Sequence, residues 1–192
     1  MLAREDLMTL EAYAAVRAEF KRTAARHRRE RQIQLGEHVT LCFEDRETIK
    51  YQIQEMLYIE RHFEAQDIQD ELDAYVPLIP TGCDFKATMM IEYSSPVIRA
   101  EKLQELVDIE NRVYVQVEGH DRVYATADQD LERTTANKTS AVHFLSFDIP
   151  EPQRRELQAG AALGLGIDHP RYCQHVTELP DELKLQLVKD LA

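Results

Sequence analysis

Residues 86–93 (KATMMIEY) and 140–147 carry apolar side chains on both strand faces. A strand of that kind has no face to give to water, so it belongs in the middle of a sheet that is covered on both sides. Around these two segments, Val113, Val115 and Val117 alternate before Gly119 and the pattern resumes at 123–125, which predicts a hairpin. Residues 32–43 read as extended chain broken at Gly36, with Val39, Leu41 and Phe43 on one face, and 163–167 as a further strand. Three- and four-residue apolar spacing predicts helices over 6–20, 45–63, 67–75, 97–109, 150–159 and 181–191. Residues 75–82 form a proline-bounded loop, and 128–137 a polar connection with room for one helical turn. Strands and helices mix without the regular alternation of a parallel sheet, so the expected class is α+β with a mainly antiparallel sheet and packed helices. The expected organisation is one domain over 1–192 that opens with a helical segment at 1–31. One large sheet should hold 86–93, 113–117 and 140–147, with the 45–64 helix packed on it.

Composition narrows the function. A chain of 192 residues with 44% hydrophobic content can bury a real core. Its 35 acidic residues outnumber 23 basic ones, giving a net charge of −12, and that field repels nucleic acid and anionic membranes. Apolar runs such as 161–167 are far shorter than the roughly 20 residues of a spanning helix, and residues 1–6 are charged. No membrane insertion and a cytoplasmic location are therefore expected. Cys42, Cys83 and Cys173 lie far apart, which indicates neither a disulfide framework nor a thiolate zinc site. The charge is also segregated. Residues 21–31 (KRTAARHRRER) carry +5 and leave −17 for the remainder. This run reads either as a solvated helix face or as a surface on which Arg22, Arg26 and Arg29 dock an acidic partner.

Standard chemistries are absent from the sequence. Gly160, Gly164 and Gly166 match neither a Walker A loop nor a dinucleotide fingerprint, and there is no G-x-S-x-G, no H-E-x-x-H and no EF-hand loop. No histidine has a carboxylate three positions upstream, the spacing of di-iron bundles, and no cysteine set could hold an iron–sulfur cluster.

What remains is a set of polar residues at core-type positions. Glu60, about 20° from the centre of its helix's apolar stripe, and Gln52 should face inward, while Glu47, Gln54 and His62 point away. Glu92 follows Met90 on a strand face, His143 shares a face with Ala141, Leu145 and Phe147, and Asp168 and His169 end a strand before Pro170. A buried carboxylate needs a cation, a donor network or a metal. Each of these residues is either a paired core group or part of a mixed imidazole and carboxylate site made by Glu60, Glu92, His143, Asp168 and His169. Such a donor set suits iron, manganese or zinc.

The segments FEDRETIKYQIQEMLYIER (43–61), ELDAYVPLIP (71–80), KATMMIEY (86–93), KTSAVHFL (138–145) and DHPRY (168–172) resemble an uncharacterised bacterial family, domain of unknown function 3501. The resemblance covers nearly the whole chain. It implies a setting rather than an activity, because such proteins are typically encoded beside rubrerythrin-like proteins and iron–sulfur oxidoreductase subunits. Two functions are then expected as alternatives: an accessory or binding subunit of that redox system, or a metal-binding protein or metal-dependent enzyme built on the five polar residues.

Overall fold

The computed structural model describes residues 2–127 and 138–191. The polar connection expected at 128–137 lies outside the described residues. The fold is α+β. In chain order the elements are α1 (Leu10–Glu30), β1 (Gln32–Leu35), β2 (Val39–Phe43), α2 (Arg46–Glu60), α3 (Ala65–Tyr75), β3 (Asp84–Ile91), α4 (Pro96–Glu105), β4 (Val113–Val117), β5 (Val123–Tyr124), β6 (Thr126–Ala127), β7 (Val142–Asp148), α5 (Glu151–Gln158), β8 (Leu163–His169), β9 (Tyr172–Val176) and α6 (Asp181–Lys189).

The strands make two antiparallel sheets, in the orders β1-β2-β3-β7-β6 and β5-β4-β8-β9. Both segments with two apolar faces, β3 and β7, are interior strands of the first sheet, paired from Asp84↔Asp148 to Met90↔Val142. The single large sheet expected from the sequence is corrected here, because β4 pairs with β5 and β8 rather than with β3 or β7. Alternation reveals which face of a strand is buried and carries no record of its neighbours. Strand β9 has no counterpart in the sequence reading. Its Tyr172–Val176 run is polar and exposed at its middle three residues, so periodicity gives it no signal.

The two sheets share one core. Val39, Leu41 and Phe43 of β2, Phe85, Ala87 and Met89 of β3, and Leu145 and Phe147 of β7 meet Val113, Val115 and Val117 of β4 and Leu163, Leu165 and Ile167 of β8. Each fully buried aliphatic or aromatic side chain of this kind contributes about 1.5–3 kcal/mol relative to exposure. At one seam the chain itself passes from sheet to sheet at Ala125, between β5 and β6, where its N–H donates to the Val113 carbonyl at 2.8 Å. At the other seam the Tyr172 hydroxyl donates to the Leu35 carbonyl at 2.6 Å and accepts from His38 N–H at 3.1 Å. Gly36 makes that closure possible. Its φ is +68°, and a Cβ there would sit 2.6 Å from the Tyr172 oxygen.

The helices α1, α2 and α3 form a separate layer with its own small cluster, in which Ile49, Ile53 and Leu57 of α2 pack with Leu2 and Leu72. Asp45 starts α2 as expected. Its Oδ1 accepts from the N–H groups of Glu47 and Thr48, and the Thr48 hydroxyl accepts from Asp45 N–H. A cap of this type contributes about 1 kcal/mol. The far end of α2 departs from expectation. The helix stops at Glu60, Arg61 turns left-handed with φ 58°, and Phe63, expected on the apolar stripe, is 71% exposed. Gln54, expected to point away from the core, is fully buried instead, because Met8 covers it and exchanges two hydrogen bonds with its amide.

Candidate functional site

The five polar residues expected to converge occupy different parts of the fold. Glu60, expected to face inward, is 44% exposed at the last turn of α2, because the apolar packing on that stripe ends at Leu57. Its angular position is right, but there is nothing beyond that turn to bury it. Glu92 is exposed just past β3 and accepts from the Thr40 hydroxyl at 2.6 Å. His143 is buried at the start of β7, with Nε2 at 2.9 Å from Thr139 Oγ1 and 3.0 Å from the Ser140 carbonyl. Asp168 and His169 are neighbours in β8 and therefore face opposite sides of the sheet. Asp168 accepts from the Tyr124 hydroxyl at 2.5 Å and from Arg122 at 3.1 Å. His169 points inward, accepting from Arg171 N–H at Nδ1 and contacting the Val107 carbonyl through Nε2. Among the described residues, no hydrogen bond or ion pair joins any two of the five.

The basic run offers a more organised surface. It forms the C-terminal half of α1, and the helix divides it. Toward the body, Tyr13 is fully buried and donates its hydroxyl to Glu55 at 2.5 Å, and Arg17 grips both oxygens of the same carboxylate at 2.8 Å. Arg17 first, and Tyr13 after it, hold the Glu55 carboxyl down at about 2 against the opposing effect of burial. Two turns on, the Phe20 ring lies 6.0 Å from that of Tyr51.

At the end of α1, Arg31 is 1% exposed and donates to the carbonyls of Phe43 and Glu44 and to the carboxylate of Asp190. Asp45 uses its second oxygen for this helix, at 2.6 Å from His27 Nε2 and 3.4 Å from Arg31. Arg28 is partly buried, with Cys42 and the buried Glu44 in its electrostatic surroundings. Arg31 is therefore a structural cation that ties α1 to β2, α2 and the end of α6.

Arg22, Arg26 and Arg29 lie on the opposite side. At 100° per residue the three fall within about 60° of one another, roughly half a turn from Tyr13 and Arg31. All three are exposed, and among the described residues none has a carboxylate in ion-pair range. Beside this stripe runs a groove of about 540 Å³, with Phe20, Lys21, Ala24, Arg26, His27 and Arg28 on the α1 side and Thr48 and Tyr51 on α2. Phe20 and Tyr51 bring aromatic rings to it, and Glu30 and Glu47 line it together with the cations. The concentration of positive charge in 21–31 is what marked the three arginines in the sequence. What it missed is the inward half of the run, whose members are distinguished from the outer ones by a half-turn of helix phase.

Another cluster escaped the sequence reading altogether. His62, just beyond α2, stands 3.4 Å from Glu60 Oε2 through Nε2 and 3.7 Å from Glu71 Oε1 of α3 through Nδ1. The Glu71 carboxyl is pushed up, first by burial and then by the charge of Glu60. The E-x-H spacing at a helix end is the signal that could have found it, had the left-handed turn at Arg61 been foreseen.

A family model described as "Protein of unknown function (DUF3501)" matches residues 1–191. The chain is also similar to a crystal structure titled as a novel protein of unknown function from Burkholderia pseudomallei K96243. The two share 47% sequence identity with a TM-score of 0.94, over 100% of this chain and 99% of that one. No curated protein matches. Among the described residues, no helix is long and apolar enough to cross a membrane.

Proposed function

The chain belongs to the family Protein of unknown function (DUF3501), and on that premise we propose that it is a binding subunit that docks an acidic redox protein along the outer stripe of α1. The observation that carries this reading is the division of the basic run. Arg31 is consumed by structural contacts, whereas Arg22, Arg26 and Arg29 present three guanidinium groups in one row beside an open groove. Three exposed cations on a chain otherwise at −15 set up a local field of opposite sign to the rest of the surface, which orients an incoming acidic partner. Phe20 and Tyr51 supply the apolar contact in the adjoining groove.

The partner class comes from the family resemblance, which implies rubrerythrin-like and iron–sulfur oxidoreductase proteins as neighbours. The test uses a purified rubrerythrin-like protein from the same host as the immobilised probe, with the iron–sulfur oxidoreductase subunit in a second channel. Affinity for one of them should fall steadily from 50 to 500 mM salt, as the Debye length contracts from about 14 Å to about 4 Å. The triple reversal Arg22→Glu, Arg26→Glu, Arg29→Glu should abolish it while leaving the melting temperature in place. Binding to neither protein, or binding indifferent to salt and reversal alike, removes the stripe as a docking surface.

A further inference from the structure

We propose that Glu60, His62 and Glu71 form a binding site for a divalent transition metal where the end of α2 meets α3. This site is independent of the docking stripe. Of the residues singled out from sequence as a metal site, it uses Glu60 alone.

The backbone builds the cluster. In a continuous helix, residues i and i+2 point about 200° apart, so Glu60 and His62 could not share a ligand. The left-handed turn at Arg61 ends α2 and folds His62 back, its N–H donating to the Leu57 carbonyl at 2.9 Å. That reversal sets the imidazole between the Glu60 carboxylate and Glu71, whose side chain reaches in from α3 with 15% exposure. One nitrogen of His62 and one oxygen of each carboxylate all lie within 4.8 Å of one another. Ligands about 2.1 Å from a tetrahedral ion stand about 3.4 Å apart, so the half-exposed Glu60 side chain, now nearest Nε2, swings toward the Nδ1 side to complete the geometry.

A separate observation points to a ligand. His62 Nδ1 is sealed from solvent and has no hydrogen-bond partner. The Glu71 oxygen facing it, at 3.7 Å, is beyond hydrogen-bond range. A buried imidazole nitrogen turned toward a carboxylate it does not bond is the arrangement that an intervening cation would satisfy. His62 also borders a cavity of about 350 Å³ lined by Arg4, Leu7, Leu10, Leu57, Phe63 and Ile68, to which neither glutamate contributes. The donor set is one nitrogen and two carboxylates without a thiolate, which suits Zn²⁺, Mn²⁺ or Fe²⁺.

The test is calorimetric titration of the full chain, stripped with chelator, using ZnCl₂ and separately MnCl₂. One equivalent of at least one of these ions should bind saturably. His62→Ala and Glu71→Gln should each weaken it by about tenfold or more, and the exposed His175→Ala should leave it unchanged. The melting temperature of each metal-free variant establishes that it is folded, and Glu71→Gln serves if His62→Ala is not. Absence of saturable binding by both ions, or binding retained within about threefold in a folded His62→Ala or Glu71→Gln protein, overturns the site.

Discussion

Arg31 and Asp190, 159 residues apart in the chain, are joined by an ion pair that anchors the end of α1 to the end of α6. The guanidinium is buried, and its remaining donors are taken by the Phe43 and Glu44 carbonyls and by Asp45. The same Asp45 caps α2 and meets His27. One cation thus organises the junction of three helices and a strand, and burial pushes the Asp190 carboxyl up while Arg31 opposes it.

Removing that cation leaves Asp190 and two carbonyls without their donor in a place water cannot easily reach. Arg31→Ala should lower the stability by about 3–5 kcal/mol, the usual cost of breaking a buried pair from one side. Arg22→Ala, on the exposed face of the same helix, should change it by less than about 0.5 kcal/mol. Urea midpoints of the two variants check the contrast, and equal losses would contradict the division of the basic run.

Glu55 predicts a pH dependence. Its folded carboxyl is held at about 2, below the ordinary 4.5, so the unfolded chain binds the proton more readily. The stabilisation is present above the unfolded value and is lost as pH falls from about 4.5 toward 2. With Arg17 about a third exposed, this amounts to about 2–3 kcal/mol. The stability gap between the wild type and Glu55→Gln should be constant from pH 7 to about 5 and should shrink below that. A gap that stays the same down to pH 3 would place the effect elsewhere.

The three cysteines should differ in reactivity. Cys42 is fully buried, and burial pushes its thiol up to about 11, whereas Cys83 and Cys173 are exposed. Because the thiolate is the reacting form, a chromogenic disulfide reagent at pH 8 should titrate two thiols rapidly in the native protein and the third on unfolding. Three rapid equivalents would mean that Cys42 is not sealed from solvent in the native protein.

The contrast between β3 and β4 shows what was legible. Met89 and Met90 on adjacent positions mark β3 as a strand buried on both sides, and it is an interior strand of its sheet. Val113, Val115 and Val117 mark β4 as a strand with one buried face just as clearly, yet nothing in that alternation says that its partner is β8 rather than β7. The candidate residues follow the same logic. The period of two does separate Asp168 from His169, but which groups await each on its own side depends on Tyr124, Arg122 and Val107, at least 44 positions away in the chain.

Local chemistry therefore determined the elements of this protein: the Asp45 cap, the helical phase of Ile49, Ile53 and Leu57, the two-faced strands and the concentration of positive charge in 21–31. These depend on residues a few positions apart, and spacing encodes them directly. Tertiary structure decided how the strands divide into two sheets, which arginines of the basic run are buried, and that Glu60 faces His62 and Glu71 rather than the core. Those outcomes turn on where distant segments come to rest and on a single left-handed residue, Arg61. A side chain's exposure is set by what packs against its helix or strand, and a periodic pattern specifies only the direction in which the side chain points.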